Sequence, residues 1–199
     1  TCLILITPDS ERTMITFLGT AGKINQNDID ANAVKESEIL FLEGYLWDEG
    51  DPKTAFEKAI NNSNKVAMSL SDLFCVERHK PHFLELVRNK LDITFANEQE
   101  IMSLIDAKKF DDVINFAKEI NKLVIVTRGD KGAIAINKNG VSECSARTNL
   151  KIVDLTGAGD LFAGGFLHGL INNQSIQESL ETGTEMSSRV IQMIGARLN

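Results

Sequence analysis

Residues 153–167 read VDLTGAGDLFAGGFL, a turn with two glycines that leads directly into a helix-compatible run. The amides of Ala158, Gly159 and Asp160 would then lack partners within the helix and would face outward at the positive end of its dipole. Gly157 and Gly159 have no side chains, so a phosphate could approach the backbone closely, with the Asp160 carboxylate beside it. The stretch therefore predicts an anion site with a proton acceptor, the arrangement needed for phosphoryl transfer.

A bare Gly-Ala-Gly-Asp also has a simpler interpretation, in which the glycines only shape a turn and Asp160 only favours a helix start. The longer string from Asp154 to Phe166 resembles the second signature of the ribokinase-like (PfkB-type) carbohydrate and nucleoside kinases. The resemblance implies that Asp160 is the catalytic base and that Gly157 to Asp160 form the anion hole. It also implies that Asp154 and Thr156 help to hold a monovalent cation, K⁺, beside the turn.

The composition is that of an ordinary globular protein. The chain has 199 residues, 43% hydrophobic and 25% charged, which fits one domain with a substantial core. Its 28 acidic and 21 basic residues give a net charge of -7, which argues against non-specific binding to nucleic acid or to an anionic membrane surface. Cys2, Cys75 and Cys144 lie far apart with no paired-thiol motif, so the cytoplasm is the expected compartment.

The N-terminal residues predict a hairpin. Residues 2 to 18 contain two apolar runs around the turn-forming cluster Pro8-Asp9-Ser10-Glu11, and the second run carries Arg12. By itself Arg12 is explained as a solvated turn residue. The stretch Thr7 to Met14, however, resembles one in adenosine-kinase-like members whose arginine reaches the transferring phosphate. The resemblance implies that Arg12 neutralises charge on that phosphate.

The next region predicts a βαβ unit followed by an irregular segment. The strands are expected at Glu38 to Leu42 and Lys65 to Leu70, with a helix from Pro52 to Asn61 between them. Residues 71–82 are expected to form a loop and a helix start, with the helix continuing from Phe83 to Val87. Cys75, His79 and His82 fall in this segment, but zinc would need more donors, so we predict no metal there.

Asn97 and Glu100 follow a short predicted strand and have two interpretations. Asn97 as N-cap with Glu100 three positions later makes a capping-box pair, which is purely structural. Asn-x-x-Glu after a strand also resembles the second polar motif of the ribokinase-like kinases. There these residues organise magnesium, its water and the nucleotide phosphates, so the resemblance implies that Asn97 and Glu100 bind Mg²⁺ through water and contact the cofactor ATP.

A second glycine loop follows a strand predicted from Lys122 to Thr127. Gly129 and Gly132 would permit a tight turn, and a structural hairpin is one explanation. The string Thr127-Arg128-Gly129-Asp130-Lys131-Gly132-Ala133 nonetheless looks like the family's nucleotide loop. By that resemblance Thr127, Gly129 and Gly132 would line the ATP site.

Two helices are predicted near the C-terminus. The first starts at the anion turn and runs to about Ile171, and its glycines lower intrinsic stability but permit close packing. The second runs from Ile176 to Ile194 and precedes Gly195-Ala196-Arg197-Leu198-Asn199, which resembles the late Gly-Ala-Arg segment of bacterial adenosine-kinase-like proteins.

Together these features predict one α/β kinase domain over 1–199, a three-layer α/β sandwich around a mainly parallel sheet. The chain opens without Met in a strand-like run, with no signal peptide or membrane-spanning stretch. The resemblance implies that a portion with a Gly-Gly motif, much of the acceptor site and the lid strands is missing upstream, so we expect an N-terminal truncation.

The expected activity is transfer of the ATP γ-phosphoryl group to a hydroxyl of a small molecule, with Mg²⁺ and K⁺ as ions. An adenosine-like nucleoside is the first choice of acceptor and a sugar, as for a fructokinase or ribokinase, the second. A truncated non-catalytic nucleotide-binding module is a third hypothesis. We expect no nucleic-acid or membrane partner, and a homodimer stays open.

Overall fold

The computed structural model describes residues 1–48 and 51–198, so Asn199, the last residue of the predicted closing segment, lies outside the described residues. Its strands and helices follow one another in the order β1 (Cys2–Ile6), β2 (Arg12–Thr16), α1 (Ala31–Glu36), β3 (Leu40–Glu43), α2 (Pro52–Asn62), β4 (Val66–Ser69), α3 (Leu73–Asn89), β5 (Ile93–Asn97), α4 (Glu98–Leu104), α5 (Phe110–Ile120), β6 (Leu123–Thr127), β7 (Ala133–Asn137), β8 (Gly140–Cys144), α6 (Ala158–Ile171) and α7 (Ile176–Val190). Short 3₁₀ turns lie at Ala21–Lys23, Gln26–Asp28, Gly44–Asp48 and Gly129–Lys131.

Strands β3 to β8 form one six-stranded sheet whose order in space follows the order in sequence. β3 pairs with β4 in parallel, and β4 pairs with β5 in parallel. β5 and β6 are joined through two helices, the connection expected of parallel neighbours, whereas β7 and β8 are joined by only two residues and form a hairpin. The predicted α/β fold with a mainly parallel sheet is confirmed.

The inner strands of this sheet are covered on both faces. Val66, Ala67 and Met68 of β4 are buried in succession, as are three consecutive residues of β6, Val124 to Val126. A strand that is buried on both faces shows a continuous apolar run instead of alternation, because neither face meets water. These runs are the reason that the sequence predicts the strands well.

The chain divides into two compact units. The first contains Thr1–Leu18, Thr127–Ala135 and the chain from Ser142 to its described end, and the second contains Gly19–Val126 and Ile136–Val141. The first unit includes a separate two-stranded sheet, in which β1 pairs with β2 in antiparallel register. That sheet is the predicted hairpin, with Arg12 as the first residue of its second strand. The assignment of 1–199 to a single kinase domain stays a prediction.

Residues 71–82 contain the predicted helix start but less loop than predicted, because α3 already begins at Leu73. Asp72 caps this helix, and its Oδ1 accepts a hydrogen bond from the Cys75 amide at 2.8 Å. The backbone leaves helical geometry at His79 (φ −115°, ψ 19°), two residues before Pro81. Proline lacks an amide donor and its ring clashes with the preceding turn, so the helix bends there without ending.

Helices α6 and α7 pack closely through glycine, as the sequence predicts. A Cβ built on Gly165 would lie 3.0 Å from the Gly183 Cα, and one on Gly183 would lie 2.7 Å from the Phe162 carbonyl oxygen. The second helix is shorter than predicted and ends at Val190. The next residue, Ile191, accepts a hydrogen bond from the Val153 amide at 2.8 Å, so the chain turns toward the segment that precedes α6.

Candidate active site

The turn before α6 requires glycine at position 157 for two reasons. Gly157 is the N-cap of the helix and has φ 80° and ψ 3°, a left-handed conformation that side chains other than glycine rarely adopt. A Cβ at this position would also lie 2.8 Å from the Ala196 Cβ and 2.9 Å from its Cα. The turn is therefore shaped from within by a left-handed residue and from outside by the C-terminal segment.

Two backbone amides at the start of α6 are open donors. Among the described residues, the amides of Gly159 and Asp160 have no hydrogen-bond acceptor. The Ala158 amide differs from the prediction, because it donates to the Leu155 carbonyl at 3.3 Å within the turn. Gly159 is exposed, and no atom lies within 4 Å of a Cβ built on it. An anion can therefore approach two unpaired donors at the positive end of a helix of 14 residues.

The Asp160 carboxylate lies beside these donors, in the first turn of α6. The residue is exposed, and its carboxylate makes no hydrogen bond to the described part of the chain. A carboxylate that is not engaged by the protein can accept a proton from a hydroxyl that approaches a phosphate bound at the amides. The assignment of Asp160 as a general base stays a prediction.

Asp154 is buried beneath the same turn, with 1% of its surface exposed. Its Oδ1 accepts hydrogen bonds from the Thr156 amide at 2.9 Å and the Thr156 hydroxyl at 2.6 Å, and its Oδ2 accepts one from the Gly195 amide at 2.9 Å. Burial by itself would raise the pKa of Asp154, but these hydrogen bonds and the positive charge of Arg12 outweigh it and hold the pKa below its ordinary value. Asp154 is therefore an ionised, internally bonded carboxylate.

Arg12 lies within electrostatic reach of this carboxylate, since its charge lowers the pKa of Asp154. It is exposed at the start of β2, next to the hairpin turn. Within that turn the Ser10 hydroxyl donates to the Ile152 carbonyl at 3.2 Å, two residues before Asp154. The hairpin turn is thus joined directly to the segment that leads into the turn before α6.

The loop after β6 holds the remaining candidates of this unit. The Arg128 amide donates to the Gly132 carbonyl at 2.8 Å and closes a tight turn. Gly132 has φ 90°, and a Cβ there would lie 2.0 Å from the Cys144 carbonyl oxygen, so glycine is required by packing. Gly129 has φ 60° but open space around it, which leaves its backbone accessible. Thr127, the last residue of β6, leads into this turn.

Asn97 and Glu100 form a complete capping box at the start of α4, in the second unit. The Asn97 amide donates to Glu100 Oε2 at 2.9 Å, Asn97 Nδ2 donates to Oε1 at 2.7 Å, and the Glu100 amide donates to Asn97 Oδ1 at 2.8 Å. Burial raises the pKa of Glu100 to about 7; the Asn97 hydrogen bond opposes the shift, and the charge of Asp72 adds to it. The structural interpretation of the pair is satisfied, and the magnesium interpretation stays a prediction.

The structure brings most of the predicted site residues into one unit. Arg12, Thr127, Gly129, Gly132 and the stretch from Asp154 to Asp160 all belong to the first unit, and Asn97 and Glu100 belong to the second. Within the described ranges, no group of three or more His, Cys, Asp and Glu side chains could hold a metal ion. No described helix has the length and apolar character needed to cross a membrane.

Sequence reasoning gave no role to Gly195 and Ala196, although they contact the turn directly. Gly195 supplies the third hydrogen bond to Asp154, and Ala196 lies against Gly157. In the sequence, the closing Gly-Ala-Arg indicates only a resemblance to bacterial adenosine-kinase-like proteins. A glycine after the end of a helix indicates a change of chain direction, but it does not say which segment the chain meets next.

Comparisons with known proteins identify the family to which the chain is similar. A family model described as "pfkB family carbohydrate kinase" matches residues 1–199. The adenosine kinase of Saccharomyces cerevisiae is 26% identical over 98% of this chain, and the match covers 61% of the yeast protein. The 5-dehydro-2-deoxygluconokinase of Geobacillus kaustophilus is 26% identical over 85% of this chain and is covered to 54%.

The chain is also similar to a solved structure of an adenosine kinase. The crystal structure of adenosine kinase from Sinorhizobium meliloti is 36% identical, with a TM-score of 0.95 over 99% of this chain and 62% of its own. The chain thus spans about three fifths of the length of the adenosine kinases that it matches.

Proposed function

The chain belongs to the pfkB family of carbohydrate kinases, and from that premise we propose that it transfers the γ-phosphoryl group of ATP to a hydroxyl of a nucleoside or sugar. The observation that carries the proposal is the pair of open amides at Gly159 and Asp160, with an unengaged carboxylate on the same helical turn. Phosphoryl transfer needs charge stabilisation and positioning more than covalent chemistry, and this turn offers both.

In the reaction that we propose, the open amides bind the oxygens of the γ-phosphoryl group. Asp160 accepts the proton of the acceptor hydroxyl as the oxygen–phosphorus bond forms and the bond from phosphorus to the bridging oxygen of ADP breaks. Arg12 offsets part of the negative charge that the transferring group carries. Gly157 and Ala158 hold the turn in shape, so that the two donors are in place before substrate arrives.

The remaining nucleotide contacts follow from the residues that the structure leaves available. We assign Gly129 to the nucleotide site because its backbone is open, and Thr127 and Gly132 to the same loop because they fix its two ends. We assign a magnesium ion held through water to Asn97 and Glu100, because each Glu100 oxygen accepts one hydrogen bond from Asn97 and retains a second acceptor position for a water. Bound Mg²⁺ would neutralise part of the negative charge on the phosphates of ATP.

A monovalent cation, K⁺, suits Asp154 and Thr156. An ionised carboxylate has about four acceptor positions, of which three are used here by Thr156 and Gly195. The carboxylate therefore retains an acceptor position next to the anion turn, and its low pKa keeps it charged. Such an ion would add positive potential beside the phosphate without touching the acceptor.

A nucleoside is the acceptor that we favour, because the Sinorhizobium and yeast relatives are both named adenosine kinases. A sugar is the second candidate, supported by the 5-dehydro-2-deoxygluconokinase match. A nucleoside needs a flat apolar slot for its base, whereas a sugar needs a small polar cup. We assign the chemistry to the cytoplasm, where the three free thiols, Cys2, Cys75 and Cys144, would stay reduced.

The test is a phosphate-transfer assay with radiolabelled ATP, Mg²⁺ and K⁺ against adenosine, inosine, ribose and fructose, alongside calorimetry with Mg-ATP. Transfer to adenosine in excess of the other acceptors is the expected result. Preference for fructose or ribose would favour the sugar kinase. ATP binding with no transfer to any acceptor would identify the chain as a nucleotide-binding module, and no binding at millimolar ATP would contradict the assignment of the anion site.

A further inference from the structure

The turn between β7 and β8 contains the one Asn-Gly step in the sequence. β7 ends at Asn137 and β8 begins at Gly140, so Lys138 and Asn139 are the two residues that join the strands. An asparagine side chain can be attacked by the backbone nitrogen of the residue that follows it. The attack is easiest when that residue is glycine, which has no Cβ to hinder the approach.

The side chain of Asn139 is not held by the protein. Within the described ranges its carboxamide makes no hydrogen bond, whereas its backbone amide donates to the Asn137 carboxamide oxygen at 2.8 Å. Asn62 differs, because its Nδ2 donates to the Lys58 carbonyl at 2.8 Å. The Asn139 side chain can therefore change rotamer and bring its Cγ toward the next backbone nitrogen.

The backbone that follows Asn139 is also open. No atom lies within 4 Å of a Cβ built on Gly140, and Asn139 is exposed at the tip of the hairpin. An attack by the Gly140 nitrogen on Asn139 is intramolecular and needs only water as a second reactant. It therefore depends on the geometry of this turn and not on a surface for a partner.

We propose that Asn139 is a site of spontaneous deamidation. The Gly140 amide nitrogen loses its proton to hydroxide and attacks Cγ of Asn139. The new bond between this nitrogen and Cγ closes a succinimide ring. The bond between Cγ and Nδ2 breaks, and Nδ2 leaves as ammonia.

Water then opens the succinimide ring at one of its two carbonyl carbons. Cleavage of the bond between the ring nitrogen and Cγ leaves aspartate at position 139. Cleavage of the bond between the ring nitrogen and the main-chain carbonyl carbon leaves isoaspartate. In both cases one water is consumed and one ammonia is released, with no oxidation or reduction.

Both products carry a new carboxylate, but only isoaspartate changes the main chain. One added negative charge takes the net charge from -7 to -8. In isoaspartate the main chain runs through Cβ and Cγ, so the turn gains one main-chain atom. Turn geometry and loop length fix the register of a hairpin, and β7 is buried from Ala133 to Ile136. Isoaspartate should therefore destabilise the protein more than aspartate does.

The experiment incubates the purified chain in neutral and in mildly alkaline buffer and follows it by peptide mapping with mass spectrometry. The peptide that contains Asn139 should gain about 1 Da, as a carboxamide becomes a carboxylic acid, and should separate into aspartate and isoaspartate forms. The rate should rise with pH, because the attacking nitrogen must lose its proton. Asn137 is the internal control, and it should react at least about tenfold more slowly because Lys138 follows it.

Two variants separate the chemistry from its consequences. Asn139→Gln keeps a carboxamide but would have to close a larger ring, so it should stay unmodified over the same period. Asn139→Asp carries the new charge on an unaltered main chain and should match the aspartate form in urea unfolding. The isoaspartate form should unfold at a lower urea concentration than either. Far-ultraviolet circular dichroism checks that each variant is folded.

Two results would overturn the proposal. In the first, Asn139 stays intact in the folded chain over a period in which the urea-unfolded chain reacts at this position, so the folded turn holds the side chain away from the nitrogen. In the second, Asn139 and Asn137 react at equal rates. Neither measurement needs a nucleotide or an acceptor, so the outcome is independent of the proposed kinase activity.

Discussion

Asp154 and Gly195 are 41 positions apart in the sequence, yet the Gly195 amide donates a hydrogen bond of 2.9 Å to the buried Asp154 carboxylate. The same carboxylate accepts two hydrogen bonds from Thr156, in the turn that leads into α6. Ala196, the next residue after Gly195, lies against Gly157. The geometry of the turn before α6 is thus fixed by two segments, the one that precedes α6 and the one that follows α7.

Asp160→Asn should abolish most phosphate transfer and preserve nucleotide binding. The amide is nearly isosteric with the carboxylate but cannot take the hydroxyl proton, and the open backbone amides are unchanged. Loss of a general base typically lowers turnover on the order of 10²–10⁴-fold. Steady-state kinetics and Mg-ATP calorimetry on the same preparations would measure both effects. An unchanged turnover number would remove Asp160 from the role of base.

Gly157→Ala should lower the stability of the protein, whereas Gly159→Ala should not. At position 157 the methyl group is strained by φ 80° and meets Ala196, so unfolding free energy should fall by about 2 kcal/mol or more. At position 159 there is open space, and alanine should leave stability unchanged or raise it by about 0.5–1 kcal/mol. Urea unfolding would measure the difference.

The same pair should separate stability from phosphate binding. We expect the phosphates to approach through the open space around Gly159, so a methyl group there should lower ATP affinity while the protein stays as stable as the wild type. Calorimetry with Mg-ATP tests this, and undiminished affinity in Gly159→Ala would place the phosphates elsewhere.

Asp154→Asn should destabilise the protein at neutral pH and much less in acid. The folded-state pKa of Asp154 is below its ordinary value of 3.8, so its contribution to stability is fully present above that value and is lost as the pH falls through the folded pKa. At pH 7 the substitution should cost about 1–3 kcal/mol, because a buried network loses its ionised acceptor. Chemical unfolding of both proteins at pH 7 and pH 3 would show a difference that narrows in acid. A constant difference would indicate that charge is not the cause.

Glu100→Gln should change the pH dependence of stability in the opposite sense. Because the folded pKa of Glu100 is raised from 4.5 to about 7, ionisation works against folding, and wild-type stability should fall as the pH rises through that window. The neutral amide cannot ionise. Between pH 4.5 and 7 the free energy of unfolding of the variant should therefore rise relative to that of the wild type by up to ~3 kcal/mol. The control is Glu57→Gln, at an exposed position of α2. Its free energy of unfolding should change with pH as that of the wild type does. If the free energy of unfolding of Glu100→Gln changed with pH as that of the wild type does, Glu100 would not be the source of the pH dependence.

Replacing K⁺ by a large organic cation should depress phosphate transfer, and Asp154→Asn should remove most of that salt effect. The physical reason is that an ion at Asp154 contributes positive potential beside the anion turn. Initial rates at matched ionic strength in the two salts are the measurement. Equal rates for the wild-type protein in both salts would exclude Asp154 and Thr156 as a functional cation site.

The local elements of secondary structure can be predicted from the amino-acid sequence. The stretch Lys122 to Thr127 predicts a strand, and Gly157 to Asp160 predict a helix start with open amides. In each case the sequence pattern and the structure that it predicts involve residues only a few positions apart. Backbone geometry and side-chain chemistry are therefore enough to predict the structure. The family resemblance added candidate roles for Arg12 and for Asn97 with Glu100, which the residues alone did not distinguish from solvated or capping residues.

Contacts between residues that are distant in the sequence are visible only in the folded protein. The bond between Asp154 and Gly195, the contact of Ala196 with Gly157 and the bond from Ser10 to Ile152 join segments whose sequences carry no sign of one another. The bend at His79 belongs to the same class, because proline signals a helix break that packing of the surrounding helix can override. The preference of a short segment for helix, strand or turn depends on neighbouring residues. The pairing of remote segments depends instead on burial and hydrogen bonding over the whole chain.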